Sequence, residues 1–145
     1  MEYIVSAKKV GATADGRYAF SPYGSSFSPS PECKTKGVLS CIKSFTKYDL
    51  SDIINGGPLT LEIHDTVFRN DDGIKKVAKL VKYFIDRGGH QLQLNSVNRD
   101  VLINAQKNSE DYKNLIVRVW GWSGYFTELA KEYQDHIIKR TEFTI

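Results

Sequence analysis

From Gly37 onward the apolar residues switch repeatedly between helical and strand spacing, and this switching constrains the fold more than any other feature of the chain. Val38, Leu39, Ile42 and Phe45 recur at helical intervals and predict a short helix. Leu59, Leu61 and Ile63 alternate with Thr60, Glu62 and His64, the period of two expected of a strand. Ile74, Val77, Ala78, Val81, Phe84 and Ile85 then form a helical stripe, with Lys75, Lys76, Lys79 and Lys82 away from it as a solvated face. Asp71 or Asp72 is placed to cap the start of that helix and Gly88 to end it. Gln91 to Asn95 alternates strictly and predicts a second strand, and Asn98 to Asn108 a helix buried through Val101, Leu102 and Ala105. Asn114 to Trp120 predicts a further strand with Leu115, Val117 and Val119 on one face, followed by a turn from Gly121 to Gly124. Thr127 is placed to cap a last helix reaching about Arg140, with Leu129, Tyr133 and Ile137 facing inward. Alternating helices and few strands predict a mixed α/β (α+β) piece, and the small number of strands suits part of a larger fold.

Residues 1–37 form an irregular lead-in that contrasts with the regular segment 38–145. Gly24-Ser25-Ser26-Phe27-Ser28-Pro29-Ser30-Pro31 gathers turn formers and prolines. Such a stretch is expected to be disordered in isolation or ordered only against a partner. The 145 residues suffice for one ordinary domain, and 41% hydrophobic with 26% charged residues suits a globular one. A net charge of +3 with scattered basic residues argues against nucleic-acid binding. No apolar run approaches the ~18 residues of a membrane span, and the N-terminus lacks a signal-peptide core, so a cytoplasmic location is expected.

Few residues carry an obvious chemistry. Cys33 and Cys41 lack the spacing of a zinc site or redox pair, and Cys41 beside the first helix stripe reads as a small core residue. His64, His90 and His136 show no metal-ligand spacing and read as surface or edge residues. Gly88-Gly89 belongs to no dinucleotide fingerprint, and Asp49, Asp52, Glu62 and Asp65 form no acid/base pair. The exception is Arg118-Val119-Trp120-Gly121-Trp122-Ser123-Gly124-Tyr125-Phe126, where a glycine interrupts two strand-favouring tryptophans at the end of an apolar run. A bare glycine there makes the backbone itself the working part, the alternative being an ordinary turn glycine.

The context of that glycine resembles the C-terminal domain of the glycyl radical enzymes, in the pyruvate formate-lyase-like superfamily. The resemblance is carried by Gly88-Gly89-His90-Gln91-Leu92-Gln93-Leu94-Asn95, Asn98-Arg99, Ala105-Gln106-Lys107-Asn108, Tyr112 and Leu115 to Val119. After the glycine it continues through Tyr125-Phe126, Glu128-Leu129, Gln134-Asp135, Ile137-Ile138 and Arg140-Thr141-Glu142. Upstream, Gly11 to Arg17 and Ser28-Pro29-Ser30-Pro31 are also similar. The fold it implies is the C-terminal fragment of the glycyl radical enzyme barrel, few strands with three to four helices and the radical loop after a strand.

The resemblance implies that Gly121 carries a stable radical. A Cα radical is planar and spreads over the flanking amides, and a β-carbon would crowd it. Arg118, Val119, Trp120, Trp122, Ser123 and Gly124 are then the loop's support, with Trp120 and Trp122 walling the site from solvent. Arg118 is read either as an anchor bonding backbone carbonyls or carboxylates, or as an exposed strand residue.

The family's catalytic cysteine sits in a separate, much earlier loop, and neither Cys33 nor Cys41 occupies such a place. The resemblance therefore implies two partners: a glycyl radical enzyme chain, full-length or truncated, that supplies the cysteine, and a radical S-adenosylmethionine activase with a four-iron four-sulfur cluster. The chain itself binds no cofactor in this reading.

Three roles remain open. The chain is a stand-alone spare part for an oxygen-damaged enzyme, an excised C-terminal domain of a longer enzyme, or a binding module with a decayed radical site. Trp122 to Phe126 resembles the dehydratase, decarboxylase and lyase branches more than the pyruvate formate-lyase branch. Hydroxyproline dehydratase-like and arylacetate decarboxylase-like enzymes are the candidate hosts.

Overall fold

The computed structural model describes residues 2–30, 35–119, 121–140 and 142–143. Its frame is a parallel sheet of order β2-β1-β5. β1 (Pro58–His64) is central, flanked by β2 (Gln91–Val97) and the short β5 (Glu142–Phe143). The register sets Leu59 and Leu61 opposite Leu92 and Leu94, and Ile63 opposite Phe143. One face of the sheet is therefore apolar except at Ser96, which lies opposite Ile63. The same pairing aligns Thr60 with Gln93 and Glu62 with Asn95 on the other face.

The apolar face is covered by α2 (Val38–Phe45) and α3 (Asp71–Asp86), the latter being the crossover that parallel β1 and β2 require. Val38, Cys41, Ile42, Phe45, Leu80 and Phe84 join Leu59, Leu61, Ile63 and Phe143 in one buried cluster, with the rings of Phe45 and Phe84 stacked 5.7 Å apart. Cys41 is thus a core residue, as its spacing predicts.

Two expectations for α3 need correction. Its cap is Asn70, whose Oδ1 accepts from the Gly73 N–H at 2.8 Å, while Asp71 and Asp72 occupy the first turn. Its buried stripe runs through Gly73, Leu80 and Phe84, with Val77 packed against the cluster, leaving Ile74 50% and Ile85 64% exposed. Apolar residues spread around much of this helix, so periodicity leaves its rotation open. Packing of Phe84 on Phe45 selects one edge.

A second cluster lies under a hairpin. α4 (Arg99–Lys107) is capped by Asn98, whose Oδ1 accepts from Asp100 and Val101 N–H groups. A 3-10 turn at Ser109–Tyr112 leads into β3 (Ile116–Arg118), which pairs antiparallel with β4 (Ser123–Tyr125). Leu102, Ala105, Val117, Val119, Phe126 and Ile137 form the buried cluster, the last from α5 (Lys131–Ile138).

The reversal is therefore tighter than the expected turn from Gly121 to Gly124, because Ser123 and Gly124 are already strand. Thr127 does not cap the last helix: it lies in a 3-10 turn, Phe126–Glu128, and α5 begins at Lys131. Gln134 Nε2 closes that junction by donating to the carbonyls of Phe126 and Leu129, at 3.1 and 2.9 Å.

The lead-in starts as α1 (Glu2–Val5) and a 3-10 turn, Ser6–Lys9. Beyond it, Arg17 gathers the chain by donating to the carbonyls of Gly11, Tyr18 and Ser21. Further on, the Phe27 N–H donates to the Pro58 carbonyl and the Thr60 N–H to Ser28 Oγ. The lead-in thus covers the first half of the β1 edge, where β5 does not reach. Among the described residues no helix is long and apolar enough to cross a membrane.

Candidate functional site

The β3–β4 hairpin places Gly121 at its tip. Val117 opposes Gly124 and Arg118 opposes Ser123, and the Val119 N–H donates to the Trp122 carbonyl at 3.0 Å. Gly121 has φ +69°, a left-handed conformation that costs a side chain about 1 kcal/mol and glycine almost nothing. Apart from its two chain neighbours, a Cβ built on Gly121 meets no atom of the described residues within 4 Å, and the residue is exposed. Among the described residues beyond those neighbours, the backbone angle is what favours glycine at the tip. Gly124 differs, since a Cβ there would lie 2.5 Å from Trp122 Cζ3. Trp122 packs against the second cluster and over Gly124, so this tryptophan shores up the base of the hairpin. Trp120 lies outside the described residues. Val119 is buried under the tip.

The polar faces of β1 and β2 meet this hairpin along a hydrogen-bonded seam. Arg118 Nε donates to Gln93 Oε1 and its Nη1 to Ser123 Oγ, both at 3.4 Å. Gln93 Nε2 donates to Asn95 Oδ1 at 3.0 Å, and Asn95 Nδ2 to Glu62 Oε1 at 2.9 Å. Glu62 pairs with Arg140 at 3.0 Å, both side chains being only 10% exposed. Arg140 Nη1 also donates to the Arg118 carbonyl at 2.9 Å and its Nη2 to the Val119 carbonyl. The guanidinium that reaches the loop's backbone carbonyls is thus Arg140, while Arg118 reaches side chains. Buried charges persist only when paired and hydrogen-bonded, and this pair is both.

Beside the seam, His136 corrects the expectation of a surface histidine. It is 5% exposed, its ring 5.2 Å from that of Tyr3 in an edge-on contact, and neither ring nitrogen has a hydrogen-bond partner among the described residues. Burial, with the nearby charges of Arg140 and Lys139, pushes its pKa down to about 4. Burial raises the Tyr3 phenol, against the pull of the Arg140 charge. A cavity of about 30 Å³, lined by Ser25, Thr60, Glu62, His136 and Arg140 among others, separates the lead-in from the seam. It is large enough for a water molecule.

The remaining residues stay local. His90 Nδ1 accepts from the Gly57 N–H at 3.1 Å, and His64 Nδ1 from Thr66 at 3.2 Å. Asp49 caps the turn at Ser51 and Asp65 pairs with Arg69, each carboxyl held below its usual range by those bonds. Cys41 lies in the sheet cluster rather than the hairpin cluster, and Cys33 falls outside the described residues. Glu62 and Arg140, 78 positions apart, were not joined by any sequence pattern. Their signal was indirect: polar residues alternating on both strands, on a face usually taken for the solvent side.

A hairpin-tip glycine is thus held over a parallel sheet by polar side chains. The family described as "Glycine radical" matches residues 23–127. The chain belongs to the glycyl radical enzyme family.

It is 38% identical over 143 residues to trans-4-hydroxy-L-proline dehydratase of Clostridioides difficile, covering 98% of this chain and 18% of that one. It is 35% identical over 133 residues to the 4-hydroxyphenylacetate decarboxylase glycyl radical subunit of the same organism, covering 91% and 15%. The structure of the B12-independent glycerol dehydratase from Clostridium butyricum matches with a TM-score of 0.94 and 33% identity, over 99% of this chain and 18% of that one. The chain thus spans less than a fifth of the length of these relatives. Its fold is a mixed α/β fragment of the family's architecture.

Proposed function

We propose that Gly121 carries a stable Cα radical and supplies it to a cysteine on a partner glycyl radical enzyme chain. The observation that carries this reading is the hairpin tip itself. Gly121 is exposed, in a conformation that suits glycine, with no described residue beyond its chain neighbours within 4 Å of where a Cβ would stand, inside the family-matched segment.

A radical S-adenosylmethionine activase with a four-iron four-sulfur cluster would supply a deoxyadenosyl radical that takes one hydrogen atom from the Gly121 Cα. The glycine then holds one α-hydrogen and an unpaired electron shared with its flanking amides. Taking a hydrogen atom from the partner's thiol restores the second Cα–H bond and leaves the partner a thiyl radical. Cys41 does not serve as that thiol, because it is buried in the other core cluster.

The host is a dehydratase or decarboxylase, a reading supported by 38% and 35% identity to those relatives against 32% to formate acetyltransferase 1 of Escherichia coli. A replacement subunit and an excised C-terminal domain present the same site. The span of 18% of the dehydratase suits either.

The test is anaerobic incubation with an activase proven on its own enzyme, S-adenosylmethionine and a reductant, followed by EPR. A doublet from the single α-hydrogen is expected, lost in Gly121→Ala, and air should then cleave the activated chain at Gly121. Absence of the signal from the wild type overturns the radical reading. Mixing the activated protein with a host enzyme truncated before this segment tests repair, and no recovery of turnover favours the excised domain.

A further inference from the structure

We propose that Arg140 is the positioning residue for the Gly121 loop: its buried guanidinium, neutralised by Glu62, fixes the two carbonyls over which the chain leaves β3. Those carbonyls belong to Arg118 and Val119, three and two residues before Gly121. Successive carbonyls of a strand point to opposite sides. One side chain reaches both only where the pleat ends, and β3 does end at Arg118. The direction in which the tip departs is thus set by a group outside the hairpin.

Two further features suit that role. The β3–β4 ladder is three residues long per strand, too short to be stable alone. The planar fork of arginine divides its donors, Nη1 serving Glu62 and the Arg118 carbonyl and Nη2 the Val119 carbonyl. A lysine ammonium in the same place is a point charge that cannot span the two sites in one plane. Glu62 is in turn held by Asn95, and Asn95 by Gln93, so the fork is anchored to the central strand β1 and its neighbour β2. Arg140 therefore ties the hairpin to the most regular part of the molecule. The consequence for radical chemistry rests on the reading of Gly121 given above; the positioning itself does not.

The experiment uses the unactivated 145-residue protein, so it stands whether or not a radical forms. In the wild type, NMR is expected to show slowly exchanging Arg140 Nη protons with couplings to the carbonyl carbons of Arg118 and Val119. Rapid exchange with no coupling overturns the proposal without any variant. In Arg140→Lys, amide exchange at Val119 and Phe126 is expected to accelerate at least tenfold, with amides of α3 changing less than twofold. In Arg140→Gly, millimolar guanidinium ion is expected to restore most of the lost hairpin protection, and sodium chloride at equal ionic strength is not.

A merely structural arginine would loosen α3 and the hairpin together and would not respond to guanidinium. That pattern, or unchanged hairpin protection in Arg140→Lys, refutes the assignment. An EPR-silent wild type with normal exchange data would defeat the radical reading and leave Arg140 standing.

Discussion

The two core clusters hold their elements by different means. Beneath α2 and α3, a broad apolar layer packs against three strands, with Ile42, Leu59, Leu61 and Ile63 almost wholly buried. Beneath the hairpin, six buried side chains among the described residues support two three-residue strands, and the remaining order comes from a polar seam ending at Arg140. Apolar burial is non-directional and tolerant, whereas a hydrogen-bonded charge fixes a position and fails sharply when a partner is lost. The region that carries the proposed chemistry is therefore the less redundant of the two. Local stability in proteins is uneven in this way, and sites that must move or be reached are drawn from the weaker end.

The difference is open to direct attack. Phe126 is fully buried in the smaller cluster, and Phe126→Ala is expected to cost about 4 kcal/mol. Hydrogen exchange should show the hairpin and α5 opening well before α3. Uniform loss across both regions would show instead that the clusters unfold as one unit.

Acid should find the same weak side next. His136 stays neutral in the folded state down to a pKa of about 4, against 6.5 when unfolded. Between those values the unfolded chain takes up a proton that the folded chain refuses, so stability falls as pH drops through the window. The full loss is roughly 3 kcal/mol, complete below the folded value. Denaturant melts at pH 7 and pH 4 measure it, and His136→Leu should flatten that part of the profile.

Smaller effects separate the two glycines of the hairpin. Gly124→Ala drives a Cβ into the Trp122 ring and is expected to cost about 2 kcal/mol by chemical denaturation. Gly121→Ala meets no described residue beyond its chain neighbours and has an unfavourable φ, so about 1 kcal/mol is expected while the EPR doublet disappears entirely. Equal destabilisation by the two changes would mean that the tip is packed as tightly as the base.

Much of the framework was readable from residue order. Alternation in Leu59 to Ile63 and in Gln91 to Asn95 named two strands and their apolar face, and the structure has both. Helical spacing named α2, α3 and α4, because a period of 3.6 is a local property. Gly121 stood out for the same reason: an exposed-backbone residue between tryptophans is visible without knowing what lies across the fold.

Rotation, pairing and burial of polar groups were not local. The side of α3 that faces the core followed from Phe45 meeting Phe84, and β5 became a strand only because β1 offered it an edge. Glu62, read as the polar side of an alternating strand, is buried because Arg140 and Asn95 converge on it from distant segments. His136, read as a surface residue, is covered by Tyr3 from the opposite end of the chain. The sequence by itself determined the places of α2, α3, α4, β1 and β2, and singled out the Gly121 Cα as the atom of the proposed chemistry. Only the tertiary structure decided how that atom is held, since a carboxylate and a guanidinium 78 positions apart acquire a role when the fold brings them within 3.0 Å.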